Sequence, residues 1–135
     1  MVYESLTKYL DQLSNDSIGD WIVDKENDGT PSHPIQMPYV NYSELVNQFI
    51  DDVYAFIDSH KEMELNHYTD ILNANGIEWG TKSMADAVVD TLDAKCVMAL
   101  IVGVVRAERF CEGTLLVFFK NGTIVKWLKK LSELD

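Results

Sequence analysis

"GTLLVFFKNGTIVKWLKKL", residues 113–131, admits two readings, and the choice between them sets the fold class. Asn121-Gly122 is the dipeptide of a two-residue β-hairpin turn, and its flanks are rich in strand-forming residues. The apolar residues after it, however, are Ile124, Trp127, Leu128 and Leu131, the i, i+3, i+4, i+7 spacing of one helix face. Gly122 then ends one helix and Thr123 caps the next. Lys126, Lys129 and Lys130 fall on the outer face and in the last turns, where cations complement the helix dipole. Two helices are predicted here, with the hairpin as the alternative.

Upstream lies the most apolar run of the chain, ten residues from Cys96 to Val105 between Lys95 and Arg106. A bilayer needs about 20 such residues, so this run reads as a buried core helix, 94–110, capped by Asp93. Small residues recur along it at Ala99, Gly103 and Ala107. A mid-helix glycine costs about 1 kcal/mol relative to alanine, so a close neighbouring helix is expected there.

Further helices are predicted from period and caps. Tyr3, Leu6, Leu10 and Leu13 form a stripe beside a Glu4–Lys8 pair. Ser43 opens a helix to about Ser59, with Val46, Phe49, Ile50, Val53 and Ile57 inward. Another spans 66–75, ended by Gly76, with Ile77 closing back on Ile71 or Leu72. Ser83 and Asp86 resemble a capping pair for a helix through Thr91. All three prolines fall within 19–42. Proline removes backbone donors, so this stretch reads as a long irregular loop or a small two-stranded ribbon, "DWIVD" pairing with "IQMPYV" across Asp28-Gly29. Its Trp21, Ile22, Met37, Tyr39 and Tyr42 are expected to lie on the core as a cover. The predicted fold is all-α: about six helices around the central buried helix 94–110, in a single globular domain 1–135.

The net charge is −11 and unevenly placed: residues 1–93 carry 18 acids against 4 bases, residues 94–135 carry 4 against 7. Such a field repels nucleic acid and anionic membranes, so neither is an expected partner. Two cysteines, Cys96 and Cys111, make no disulfide framework, and no signal peptide is recognisable, so a cytoplasmic protein with free thiols is expected.

The chain has nine lysines and only two arginines, Arg106 and Arg109, three residues apart at the end of the core helix. A guanidinium is preferred where a planar fork must hold a carboxylate bidentately. The acid is either one of the chain's own or a ligand's. In the second case Arg106, Glu108 and Arg109 line an anion pocket walled by Trp21 and Tyr39. His60, Glu64 and His67 fall at i, i+4 and i+7, and would share one face if a helix ran through them. Their spacing matches no zinc motif and "SHKEMELNH" reads equally as a break, so no metal site is predicted. Cys111 near the helix end carries no partner histidine in sequence, and Cys96 reads as core. No phosphate-cradling glycine loop, nucleophile elbow or CxxC is present, and no cofactor is expected.

Pro38 and Tyr39, then Arg106, Glu108, Arg109, Phe110 and Gly113, then Gly122, Ile124 and Leu128 form a pattern that resembles an uncharacterised bacterial family of small, mostly helical proteins, a domain of unknown function. The resemblance runs from about Trp21 onward. It implies a bacterial, cytosolic, mainly helical protein and favours helices at the C-terminus, but brings no catalytic residue. The expectation is therefore a non-enzymatic interaction or accessory domain, acting on a protein partner or on itself as a homodimer. The alternative is a small-anion-binding protein or small enzyme using the 106–113 helix end.

Overall fold

The computed structural model describes residues 3–13, 18–22, 30–31 and 39–134. Its helices are α1 (Glu4–Thr7), α2 (Leu10–Leu13), α3 (Glu44–Ser59), α4 (Tyr68–Ala74), α5 (Thr81–Asp86), α6 (Ala94–Ala107), α7 (Thr114–Lys120) and α8 (Thr123–Leu134). Two short strands, β1 (Gly19–Ile22) and β2 (Tyr39–Tyr42), pair antiparallel with Gly19 opposite Tyr42 and Ile22 opposite Tyr39. The molecule is mainly helical, as its sequence predicts, with one small ribbon.

At the C-terminus the helical reading holds. Ile124, Trp127, Leu128 and Leu131 are all fully buried, and Gly122 takes the left-handed conformation between α7 and α8 (φ 81°). The cap differs from expectation. Thr123 is the first residue of α8, and the Asn121 side chain accepts its N–H at 3.0 Å. Asn121-Gly122 thus works as a helix-to-helix corner: the asparagine caps forward and the glycine supplies the positive φ.

Every residue of α6 from Cys96 to Val105 is buried. A helix apolar all round must be enclosed, and here α4, α7 and α8 pack around it, with α3 touching it as well. Each fully buried Leu, Ile or Val contributes about 1.5–3 kcal/mol. Asp93 caps the start by accepting from Cys96 N–H at 2.9 Å. The helix ends at Ala107, three residues before the predicted end. There the Ala107 carbonyl accepts from both Phe110 and Cys111, a tightened last turn. The space beside Gly103 is filled by Trp79 and Met84 side chains instead of a second helix backbone.

Other differences are local. The first predicted helix is split into α1 and α2, with Tyr9 buried at the break and bonded to Asp52. Lys8 pairs with Asp52 at 3.4 Å in place of Glu4. Ser83 is no cap: its hydroxyl accepts from Glu78 N–H at 3.0 Å, and α5 starts earlier, after Gly80. The Ser43 cap and the Gly76 stop (φ 76°) hold, the latter with Ile77 N–H bonded to Leu72 at 2.9 Å. The ribbon forms, but its strands lie at 19–22 and 39–42, so its pairing includes Tyr42 and Asn41. Its cover role is corrected in part: Val40 is buried, while Trp21, Ile22 and Tyr39 stay substantially exposed. The Asp28-Gly29 turn and Met37 lie outside the described residues.

Candidate functional site

The tightened turn after α6 sends the side chains of 106–112 in two directions, and this division determines what each can do. Glu108 and Glu112 turn toward the ribbon. The Glu108 carboxylate accepts from Gly113 N–H at 3.1 Å, from Leu115 N–H at 2.9 Å and from the Tyr42 hydroxyl at 2.8 Å. It thereby caps α7, whose own N-cap, Gly113, has no side chain to do so. The Tyr42 hydroxyl in turn accepts from Leu116 N–H at 3.1 Å, and burial with the Glu108 contact pushes its pKa up. Glu112 accepts from Val40 N–H at 3.2 Å. Trp21 lies directly on Gly113, with a ring carbon 2.3 Å from where a Cβ would stand. This side is a set of internal ties between ribbon and helix end.

Arg106, Arg109 and Phe110 point the other way. The two guanidinium carbons lie 5.6 and 5.3 Å from the ring centre of Tyr54 on α3, and Arg106 also lies 6.0 Å from Tyr68 on α4. Arg106 donates to the Asn66 amide oxygen at 2.8 Å. Among the described residues neither arginine pairs with a carboxylate. The Arg106 Nε–H, shielded from solvent, finds no acceptor. The predicted fork to one of the chain's own acids is therefore replaced by stacking on tyrosines.

From Tyr68 the row continues. Its ring stands edge-on to Trp79 at 5.7 Å, and Trp79 stands edge-on to Phe110 at 6.2 Å. Trp79 is fixed by its indole N–H, which donates to the Gly103 carbonyl at 3.0 Å. Phe110 is 80% exposed. Beneath this pair opens a cleft of about 180 Å³, walled by Trp79, Met84, Val104, Ala107, Phe110 and Phe118. The hydroxyl of Thr114 at its rim is already bonded to the Cys111 carbonyl at 2.7 Å, so the cleft offers a largely apolar lining. An apolar cavity of roughly 150 Å³ holds a benzene-sized ring, so this one has room for one large side chain.

The five residues expected to line one anion pocket are thus divided. Arg106 and Arg109 share the tyrosine face; Glu108 and Trp21 belong to the ribbon side; Tyr39, the first residue of β2, is half-exposed. The histidines do not converge. Glu64 adopts a left-handed conformation (φ 53°) that breaks any helix between His60 and His67. His60 stacks on Phe56 at 4.0 Å, and His67 faces Asp70 at 3.9 Å. Among the described residues no three His, Cys, Asp or Glu side chains group to hold a metal. Trp79, Tyr54, Tyr68 and Asn66 were not expected at a site. Tyr54 follows Val53 on the flank of the apolar face of α3, and Trp79 stands just past a helix stop where no periodicity operates.

Fold and site together define a small, mainly helical protein with an apolar cleft and, on one edge, two arginines that pair with no carboxylate among the described residues; no helix among those residues is long and apolar enough to cross a membrane. The chain belongs to a family of unknown function, DUF6508, whose model matches residues 2–135. No curated protein and no solved structure matches it significantly.

Proposed function

We propose that this chain is a non-enzymatic interaction domain of the cytosol that receives an apolar side chain of a protein partner in the Trp79–Phe110 cleft. The observation that carries this reading is Phe110, an aromatic residue 80% exposed beside an open apolar cleft on an otherwise strongly acidic chain. Water pays no compensation for such a surface, and covering it gains about 25 cal/mol per Å² of apolar area. Trp79, rigidly tied to α6, supplies the aromatic wall typical of an interface anchor pocket. The occupant is a segment of another protein. A second copy of this chain is the competing occupant, and a net charge of −11 on each copy opposes it.

Selection from a displayed random peptide library tests this. Wild-type protein enriches peptides with a large aromatic or aliphatic anchor, and Phe110→Asp, at an exposed position that leaves the melting temperature unchanged, loses them. Enrichment that survives Phe110→Asp, or none at all, refutes the reading. A concentration-dependent dimer in native mass spectrometry that Phe110→Asp abolishes would assign the cleft to self-association instead.

A further inference from the structure

We infer that the segment held at the Trp79–Phe110 cleft is acidic as well as apolar, and that its carboxylate is received by Arg106 and Arg109; this rests on the reading of the cleft given above. Both guanidiniums lie within 5.6 Å of the Tyr54 ring centre. Two like charges set against one ring repel each other; Arg106 is partly buried, which weakens the water that would screen it, while Arg109 stays open to solvent. An acid beside such a pair relieves this repulsion. Here Asp51 and Asp58, one turn to either side of Tyr54, make no ion pair with either arginine. Among the described residues no acid neutralises the pair, which is open to a carboxylate from outside; guanidinium forks bind one in a planar, bidentate way that lysine cannot copy.

The row of rings connects this charge to the cleft. Arg106 to Tyr68 is 6.0 Å, Tyr68 to Trp79 is 5.7 Å and Trp79 to Phe110 is 6.2 Å. An extended chain covers about 3.3 Å per residue, so an acid about three or four positions from the anchor reaches the guanidiniums. A nucleic acid fits poorly, because its many phosphates meet the whole −11 field, whereas one carboxylate meets mainly the local pair.

The same peptide selection separates this inference from the one beneath it. The expected result is enrichment of Asp or Glu about three or four positions from the apolar anchor. Arg109→Gln, at an exposed position, should remove that acidic preference and weaken the selected peptides about tenfold, with the melting temperature held. Arg109→Lys, which keeps the charge without the fork, should recover part of the loss. Apolar anchors with no acidic bias, or peptides bound equally by Arg109→Gln, overturn the inference and leave the cleft standing. No enrichment on the wild type removes the cleft reading and this one with it.

Discussion

The indole N–H of Trp79 donates to the carbonyl of Gly103 at 3.0 Å, so the wall of the cleft is fastened to the middle of the core helix. A Cβ on Gly103 would stand 3.3 Å from Trp79 and 2.9 Å from the flexible end of Met84. Alanine gains about 1 kcal/mol in helix propensity, and a lost hydrogen bond costs about the same. Gly103→Ala should therefore change stability by less than about 1 kcal/mol while displacing Trp79. Hydrogen exchange of the Trp79 indole should accelerate; an unchanged rate would contradict the fastening.

Glu108 is expected to be structural. Its carboxylate receives two backbone N–H groups and the Tyr42 hydroxyl, and hydrogen bonds to a charged group contribute about 1.5–3 kcal/mol. Glu108→Ala should lower stability by about 2–3 kcal/mol in urea denaturation. Glu112→Ala, which loses one bond to Val40, should cost about 1 kcal/mol. Equal effects would mean that the cap on α7 has been misjudged.

Gly113 has a positive φ of 95° and the Trp21 ring on its open face. Alanine there meets two penalties, a left-handed backbone at about 1–2 kcal/mol and displacement of the indole. Gly113→Ala should be more destabilising than Gly122→Ala, where φ is 81° and no atom stands within contact of a Cβ. Thermal denaturation of the two variants compares them directly.

Alkaline pH should unfold the protein earlier than its acidic composition suggests. Burial, aided by the Asp93 charge, pushes the Cys96 thiol up to about 11. Burial together with the bond to Asp52 raises Tyr9, and burial with Glu108 raises Tyr42. These groups are neutral in the fold, so their contribution is complete below their unfolded values, about 8.5 for Cys and 10 for Tyr. It is lost as pH climbs from there toward the raised folded values. Stability should be flat in this respect below pH about 8.5, with Cys96→Ala flattening the first part of the decline and Tyr9→Phe the second. A decline unaltered in both variants would contradict the assignment.

What was legible in the sequence follows from the range of each interaction. The core helix and α8 could be read because burial imposes a period on apolar residues, and Ser43, Asp93 and Gly76 could be read because caps act over three or four residues. The end of α6 could not, since it lies in a turn whose bonds, Phe110 and Cys111 to the Ala107 carbonyl, follow no apolar period. Asn121, a hairpin signal by composition, became a cap because the apolar period of α8 outweighs the turn preference. The arginine pair stands out in the sequence, but its surroundings do not: Tyr54 and Tyr68 lie on separate helices about 40 to 55 positions upstream, a juxtaposition that only tertiary packing makes. Trp79 is hidden from the sequence for the same reason, since its partner is a backbone carbonyl that sequence does not mark.

The measurement closest to the central claim is an NMR titration of the ¹⁵N-labelled chain with N-acetyl-phenylalanine amide, a lone apolar side chain without charge. The expected result is a saturable set of shifts centred on the Trp79 indole N–H and the amides of Phe110, Cys111 and Thr114, absent in Phe110→Asp. Shifts that are missing there, or that centre elsewhere on the surface, would contradict the cleft as the recognition site.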